Sequence, residues 1–408
     1  MKLFKKKTAE RGQGAPNGNQ IELDIEGMTC DHCALHVQKA LKQVDGVVEA
    51  RVPSWKEKRA FVSVSGEVSE TQLARAVEEA GYHVKEIHMK TGKGATPSNG
   101  GGREVDYDLV VIGTGGGGMG AAIRAAEMGR KVAIVEAGTI GGTCVNIGCV
   151  PSKALIRAAE AYHTAGHHPF AGLKTRAEGL DWPALIAQKD ELVAELRQKK
   201  YVDVLEAYEN IRLIRGRATL DAHGDVVVDG QQTLKTRKVV VATGARPKIL
   251  PIDGVKEVEV LNSTTIMALK KQPASLLIIG GRAIALELGQ AFARFGTKVT
   301  LLQRSPRLVP AHEPEISAGI EEALRNEGIE IFTGSTPQAI RQEKGEKVVT
   351  AMVNGETREF RAEQVLMAVG RTPNTQNMGL EAVGVELDKG GFIVVDEYLK
   401  TSNPKIYA

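Results

Sequence analysis

Nowhere in the 408 residues is there an uncharged apolar run long enough to cross a membrane. The longest, Leu109 to Ile123, has 15 residues, includes several glycines and is bounded by Asp108 and Arg124, whereas a spanning helix needs about 20. The basic opening MKLFKKK does not read as a secretory leader, because no apolar stretch of roughly 7–15 residues follows it. A cytosolic protein without a membrane span is therefore expected. Excess charge of one sign is also lacking, since 53 Lys+Arg stand against 50 Asp+Glu, a net +3, so no nucleic-acid partner is expected. Cysteine is scarce. Four cysteines cannot staple a chain of this length, and they fall into two close pairs, Cys30/Cys33 and Cys144/Cys149, with none left over. In a reducing compartment such pairs point to metal or redox chemistry.

Glycine, by contrast, is abundant at 45 residues of 408, above the usual ~7%, which suggests turns where backbone must approach something closely. Residues 1–19 lack apolar periodicity and read as a mobile tail. Residues 89–103, with TGKGATPSNGGG at their centre, read as a flexible linker. Between them, residues 20–88 alternate in period as βαββαβ, a ferredoxin-like domain. After the linker, VDYDLVVIG, MGAAIRAAEMG and KVAIVEA form one βαβ unit, and ASLLIIGG, AIALELGQAFARFG and KVTLLQR a second. The larger part is thus α/β, with two nucleotide-binding modules of the doubly wound type.

The first cysteine pair lies in Gly27-Met28-Thr29-Cys30-Asp31-His32-Cys33, between a strand and a helix. Two thiolates at a helix start can turn toward one ion, and a two-sulfur ligand set suits a soft ion such as Cu(I) or Hg(II) better than four-coordinate Zn(II). A bare Cys-x-x-Cys serves equally as a redox pair or as two packed thiols. In its GMTC setting and βαββαβ frame, the segment resembles the heavy-metal-associated domain, which implies that Cys30 and Cys33 bind a soft metal. His32 reads as a solvated loop residue.

Gly113-Thr-Gly115-Gly-Gly-Gly118 follows a strand and opens a helix, and Glu136 ends the next strand. Glycines there let a pyrophosphate approach the helix start, and the carboxylate can take ribose hydroxyls, the pattern of an adenine dinucleotide. The run from Gly138 through Gly142, Thr143, Cys144 and Cys149 to Lys153 is more specific. Two thiols separated by four residues at a helix start can form and break a disulfide beside a redox ring. This run resembles the redox-active segment of the pyridine nucleotide-disulfide oxidoreductases, the family of the glutathione, lipoamide and mercury reductases, from about Asp106 onward. The resemblance implies FAD, with Gly138, Gly142 and Thr143 among its contacts, Cys149 as the thiolate nearer the flavin, and Cys144 as the exchanging thiol. It places Lys153 near the flavin ring and Glu287 as that lysine's partner. It assigns a backbone contact with the adenine half to Ala218, and the crossing between modules to Thr243 and Gly244. Residues 104–265 and 366–408 then form the FAD domain and 266–365 the NAD(P) domain.

In the second module, Gly280 and Gly281 are followed by Arg282 where a glycine is usual, and by Ala283 where many relatives carry a tyrosine. The position that would hold an acid for NAD is Gln303, followed by Arg304. A neutral residue beside a cation accepts a 2′-phosphate, so NADPH is expected. The redox motif does not choose among substrates; the appended soft-metal domain does, because a tethered carrier raises the local concentration of a thiophilic ion. The combination resembles the mercury-reducing branch: NADPH-dependent reduction of free or thiol-bound Hg(II) to Hg(0), with the cysteines as mercury ligands. Two rivals remain, a lipoamide-dehydrogenase-like disulfide reductase with an accessory metal domain and a non-catalytic soft-metal carrier. Relatives continue past the position of Ala408 into a flavin-binding Gly-Asp and a dimerisation domain, so the sequence is expected to be a fragment of a homodimeric enzyme, weak alone in FAD binding and turnover.

Overall fold

The computed structural model describes residues 20–28, 31–52, 55, 57–64, 68–90 and 104–408. Chain contacts divide it into two units, residues 1–103 and 104–408.

The first unit runs β1 (Gln20–Glu26), α1 (Asp31–Leu41), β2 (Val47–Arg51), β3 (Arg59–Val64), α2 (Glu70–Glu79) and β4 (His83–Lys90). The strands lie in the order β2-β3-β1-β4, with β1 antiparallel to both neighbours. This is the expected ferredoxin-like arrangement. Ile21, Leu23 and Ile25 alternate along β1 and bury one face, as a period-2 strand with one solvated face requires. Leu73 and Val77 of α2 close over that face with Ala34, Val37 and Leu41 of α1. A reciprocal capping box fixes the start of α2: the Ser69 hydroxyl accepts from Gln72 N, and the Gln72 side chain accepts from Ser69 N.

The second unit is built on two parallel sheets. The first contains β5 (Tyr107–Ile112), β6 (Val132–Glu136), β7 (Ile211–Arg215), β11 (Thr236–Val241) and β21 (Ile406–Tyr407), in the order β21-β11-β5-β6-β7. β5 is apolar on both faces because both are covered. Val111 packs with Met119 and Ala122 of α3 (Gly116–Glu127). Val110 and Ile112 pack with Val226 and Val228 of a small antiparallel sheet, β8 (Ala218–Leu220), β9 (Val226–Val228) and β10 (Gln232–Leu234). The chain leaves β5 toward β6 and returns on its other side as β11. The crevice at the carboxyl ends of β5 and β11 is therefore a topological switch point, where open α/β sheets receive ligands. Residues 378–406 return to this core through Met378, Leu380, Val385 and Ile406.

The second parallel sheet contains β13 (Ser275–Ile279), β14 (Lys298–Leu302), β15 (Glu330–Phe332) and β19 (Gln364–Met367), ordered β15-β14-β13-β19, with α8 (Ala283–Arg294) and α9 (Pro314–Asn326) as its helices. The doubly wound expectation puts helices on both faces, but here Leu277 and Ile279 pack on an antiparallel sheet of β16 (Ser335–Glu343), β17 (Glu346–Val353) and β18 (Glu356–Ala362). Two-residue turns make those hairpins. Lys344-Gly345 and Asn354-Gly355 all have positive φ, the geometry whose twist matches paired strands. No helix among the described residues is long and apolar enough to cross a membrane.

Candidate active site

The site grows from the turn after β5. Gly115 caps α3 without a side-chain hydrogen bond, so the first N–H groups of the helix are left for an anion. Nothing lies within 4 Å of where side chains would begin at Gly116 and Gly117. Gly118 is required by packing, since a Cβ there would sit 2.1 Å from the Gly113 carbonyl oxygen. Glu136, at the end of β6, accepts from Thr114 N at 3.0 Å and Thr114 Oγ1 at 2.5 Å through one oxygen, and from Gly138 N at 2.8 Å through the other. A carboxylate offers about four acceptor positions, so room for a ribose hydroxyl remains. The buried Thr114 hydroxyl in turn accepts from Gly141 N at 3.0 Å, which joins the dinucleotide turn to the cysteine segment. The turn fits the pyrophosphate and ribose of FAD. Of the other positions expected to serve the flavin, Ala218 is buried at the start of β8, and Asn374 donates from Nδ2 to Thr243 O and from its backbone to Gly244 O.

A single helix carrying both thiols is not what the segment forms. It makes α4 (Gly142–Ile147) and α5 (Cys149–Thr164), broken at Gly148. Gly148 has φ −130° and ψ −114°, outside the helical region, and a Cβ there would lie 2.9 Å from the Thr143 carbonyl oxygen. Cys144 thus lies in α4 and Cys149 begins α5, and both are exposed. Across the break the two thiols still influence one another. The Cys149 side chain, through a hydrogen bond first, then with burial and charge, raises the Cys144 pKa above its ordinary value. Cys144 therefore holds its proton to a higher pH than an isolated thiol would.

Lys153, on α5, reaches Glu287 of α8, with Nζ 2.6 Å from Oε2. That contact spans 134 residues of sequence and ties the two modules together. Three further residues emerge only from the structure. Asn146 donates to Ile140 O and Gly142 O and accepts from Arg197 of α6 (Trp182–Arg197) at 3.0 Å, fastening the cysteine segment to that helix. Thr114 is the second, through the bonds above. Tyr201, in the π-helical turn Gln198–Val202, is the third: burial, then the charges of Cys144 and Cys149, raise its phenol pKa, so it stays a protonated donor near the sulfurs. No sequence motif marks Tyr201.

In the second module Gly280 has φ +133°, and a Cβ there would meet the Ala368 carbonyl oxygen at 2.4 Å. Arg282 caps α8 with no side-chain hydrogen bond, a free helix start that fits a second dinucleotide. Gln303 is buried, 7% exposed, with its amide on Arg307 O at 3.3 Å; Arg304 beside it is exposed. In the first unit Cys33 lies half-buried in the first turn of α1, against the domain core, and Cys30 lies outside the described residues.

Residues 107–408 match the family profile described as "Pyridine nucleotide-disulphide oxidoreductase", and residues 22–83 match "Heavy-metal-associated domain". Among curated proteins, the chain is 42% identical over 393 residues to the mercuric reductase of Staphylococcus aureus, covering 96% of this chain and 70% of that one. It is 40% identical to that of Lysinibacillus sphaericus, with the same coverage. Among solved structures it resembles the HOCl-induced flavoprotein disulfide reductase RclA from Escherichia coli, at TM-score 0.66 and 30% identity over 74% of this chain and 65% of that one.

Proposed function

The chain belongs to the pyridine nucleotide-disulphide oxidoreductases, and from that premise we propose that it carries out the NADPH-dependent reduction of Hg(II) to Hg(0), with a heavy-metal-associated domain that binds the ion. The observation that carries the reading is the exposed pair of free thiols Cys144 and Cys149, close enough that Cys149 shifts the Cys144 pKa, set beside a dinucleotide turn in a chain that also holds a soft-metal domain.

The overall reaction is NADPH + Hg(II) → NADP+ + H+ + Hg(0). FAD, when bound, relays two electrons from the nicotinamide to the sulfurs. The chain's own part begins with capture: Cys144 and Cys149 take Hg(II) between two sulfurs and release two protons, in the linear coordination that soft d10 ions accept. Two electrons then release Hg(0) and leave two thiolates, which take up two protons from solvent and return the site to its starting state. Tyr201 holds its proton as a donor beside the sulfurs, and Lys153, oriented by Glu287, contributes positive charge where the reduced ring would carry negative charge. Gly113, Gly115, Gly118 and Glu136 hold the flavin nucleotide. Gly280, Gly281 and Arg304 serve NADPH, while Gln303 supports Gly281 from below. Cys30 and Cys33 hold Hg(II) as a second two-sulfur site. Dimerisation is part of the same reading, carried by the family resemblance. A cytosolic location follows from the need for reduced thiols and a nicotinamide reductant.

The likeness to RclA supports one second reading, a disulfide reductase using the same sulfurs. One experiment separates the two: nicotinamide oxidation by flavin-loaded protein in excess thiol, with Hg(II) or with a small disulfide as acceptor, and with elemental mercury vapour collected. Turnover with Hg(II) and vapour release, both lost in Cys144→Ser and Cys149→Ser, is the expected result. Turnover with the disulfide alone would reject mercury as the substrate.

A further inference from the structure

The loop after β13 contains one residue that the dinucleotide pattern does not explain. Gly280 and Gly281 are there for space: Gly280 turns against Ala368, and a Cβ on Gly281 would lie 2.8 Å from the Gln303 side chain. The next position, usually glycine so that a pyrophosphate can approach the backbone, is Arg282. Its backbone is extended at φ −111° and ψ 179°, a conformation that any residue adopts, so the arginine is unstrained. Its carbonyl accepts from Leu286 N at 3.1 Å and starts α8. Its side chain is exposed and makes no hydrogen bond or ion pair with any described residue. Arg304, at the end of β14, is likewise exposed and unpaired among the described residues.

The two arginines belong to one small surface. Gly281, the neighbour of Arg282, packs directly on Gln303, the neighbour of Arg304, and Val309 N donates to Gly281 O at 2.8 Å, pinning the 304–309 loop against residue 281. Arg307 adds a third guanidinium to that loop, partly held by Pro310 O at 3.0 Å. Gln303 faces inward, so no carboxylate or amide at the end of β14 is presented to ribose hydroxyls; what the surface offers is permanent positive charge. Guanidinium groups that no carboxylate neutralises, in a fork geometry suited to phosphate, fit a phosphomonoester. In this fold the end of the second strand faces the adenosine ribose.

We propose that Arg282 is a specificity-determining residue that, together with Arg304, binds the 2′-phosphate of NADPH. The proposal rests on the NADPH-dependent reading and adds to it a reader drawn from the helix cap. The α8 N–H groups remain for the pyrophosphate; Arg282 distinguishes the phosphorylated ribose from the plain one.

The test is direct binding to the oxidised protein, without turnover: calorimetry with 2′,5′-ADP and with 5′-ADP, for the wild type, Arg282→Gln and Arg282→Lys. The wild type is expected to prefer 2′,5′-ADP. Arg282→Gln should weaken 2′,5′-ADP about tenfold or more, the scale of one charge-assisted hydrogen bond, and leave 5′-ADP within about twofold. Arg282→Lys should recover part of the loss, because it restores the charge but not the fork. Equal weakening of both ligands in Arg282→Gln, or no weakening of either, overturns the assignment while wild-type preference keeps the NADPH reading. A wild type that does not prefer 2′,5′-ADP overturns both.

Discussion

Gly118→Ala and Gly120→Ala add the same methyl group to the same helix, two residues apart, and the structure gives them opposite signs. At Gly118 the new Cβ would sit 2.1 Å from Gly113 O and 3.2 Å from Val111 Cγ1. An ordinary C···O approach is about 3.3 Å, so α3 or the β5 turn must shift by roughly 1 Å. Overpacking of this kind costs about 1–3 kcal/mol, against about 0.5–1 kcal/mol that alanine returns in a helix. At Gly120 nothing lies within 4 Å of the new atom, and only the helix gain of about 0.5–1 kcal/mol remains. The variants should therefore differ by about 2 kcal/mol in urea unfolding, with Gly120→Ala above the wild type and Gly118→Ala below it. Because the strain falls on Gly113, Gly118→Ala should also weaken FAD binding by about tenfold, about 1.4 kcal/mol, measured by flavin fluorescence titration. Equal stabilities and equal flavin affinities would show that the turn is not packed as described.

Removing the Cys149 sulfur removes the largest cause of the raised Cys144 pKa. In reduced Cys149→Ala, the Cys144 thiolate should form at lower pH and iodoacetamide should label it faster near neutrality, about tenfold per unit of pKa; an unchanged pH profile would contradict the coupling. The Lys153–Glu287 pair has partners 59% and 43% exposed, so Glu287→Gln should change unfolding by less than about 1 kcal/mol. Its stopped-flow rate of nicotinamide oxidation should nevertheless fall about tenfold, as for loss of an oriented charge; a large stability loss at unchanged rate would mark the pair as structural only. Lys405, 22% exposed, reaches the buried Asp225 at 2.6 Å. Lys405→Met should then cost about 2–3 kcal/mol, below the full value for a buried pair because the lysine is partly solvated; urea unfolding with no measurable loss would mean that the Asp225 charge is satisfied elsewhere.

The ferredoxin-like unit was legible because its strands alternate and its helices carry a single apolar stripe, so periodicity alone separated six elements. The two βαβ units were legible for a related reason: strands covered on both faces read as unbroken apolar runs, as LVVI and SLLII do. The antiparallel layer under β13 was not. Val348, Val349 and Ala351 of β17 are fully buried, yet nothing in a strand's own pattern says which sheet it will cover. The two-residue turns Lys344-Gly345 and Asn354-Gly355 mark hairpins but not their partner. The helix break at Gly148 was hidden for a different reason: the glycine is demanded by the Thr143 carbonyl beside it, a contact that exists only once the turn has formed.

For the site, sequence fixed identities and the fold fixed relations. Cysteine spacing, glycine turns and a carboxylate at a strand end are local signals, because each chemistry needs its residue types within a few positions of one another. Lys153 with Glu287, Arg197 with Asn146, Tyr201 near the two sulfurs, and Arg282 within one residue of the Gln303 contact are long-range meetings. They depend on how α5, α6 and α8 pack and on which strand ends lie side by side, and no local pattern encodes them, since the free energy that brings such groups together comes from burying apolar faces elsewhere in the chain.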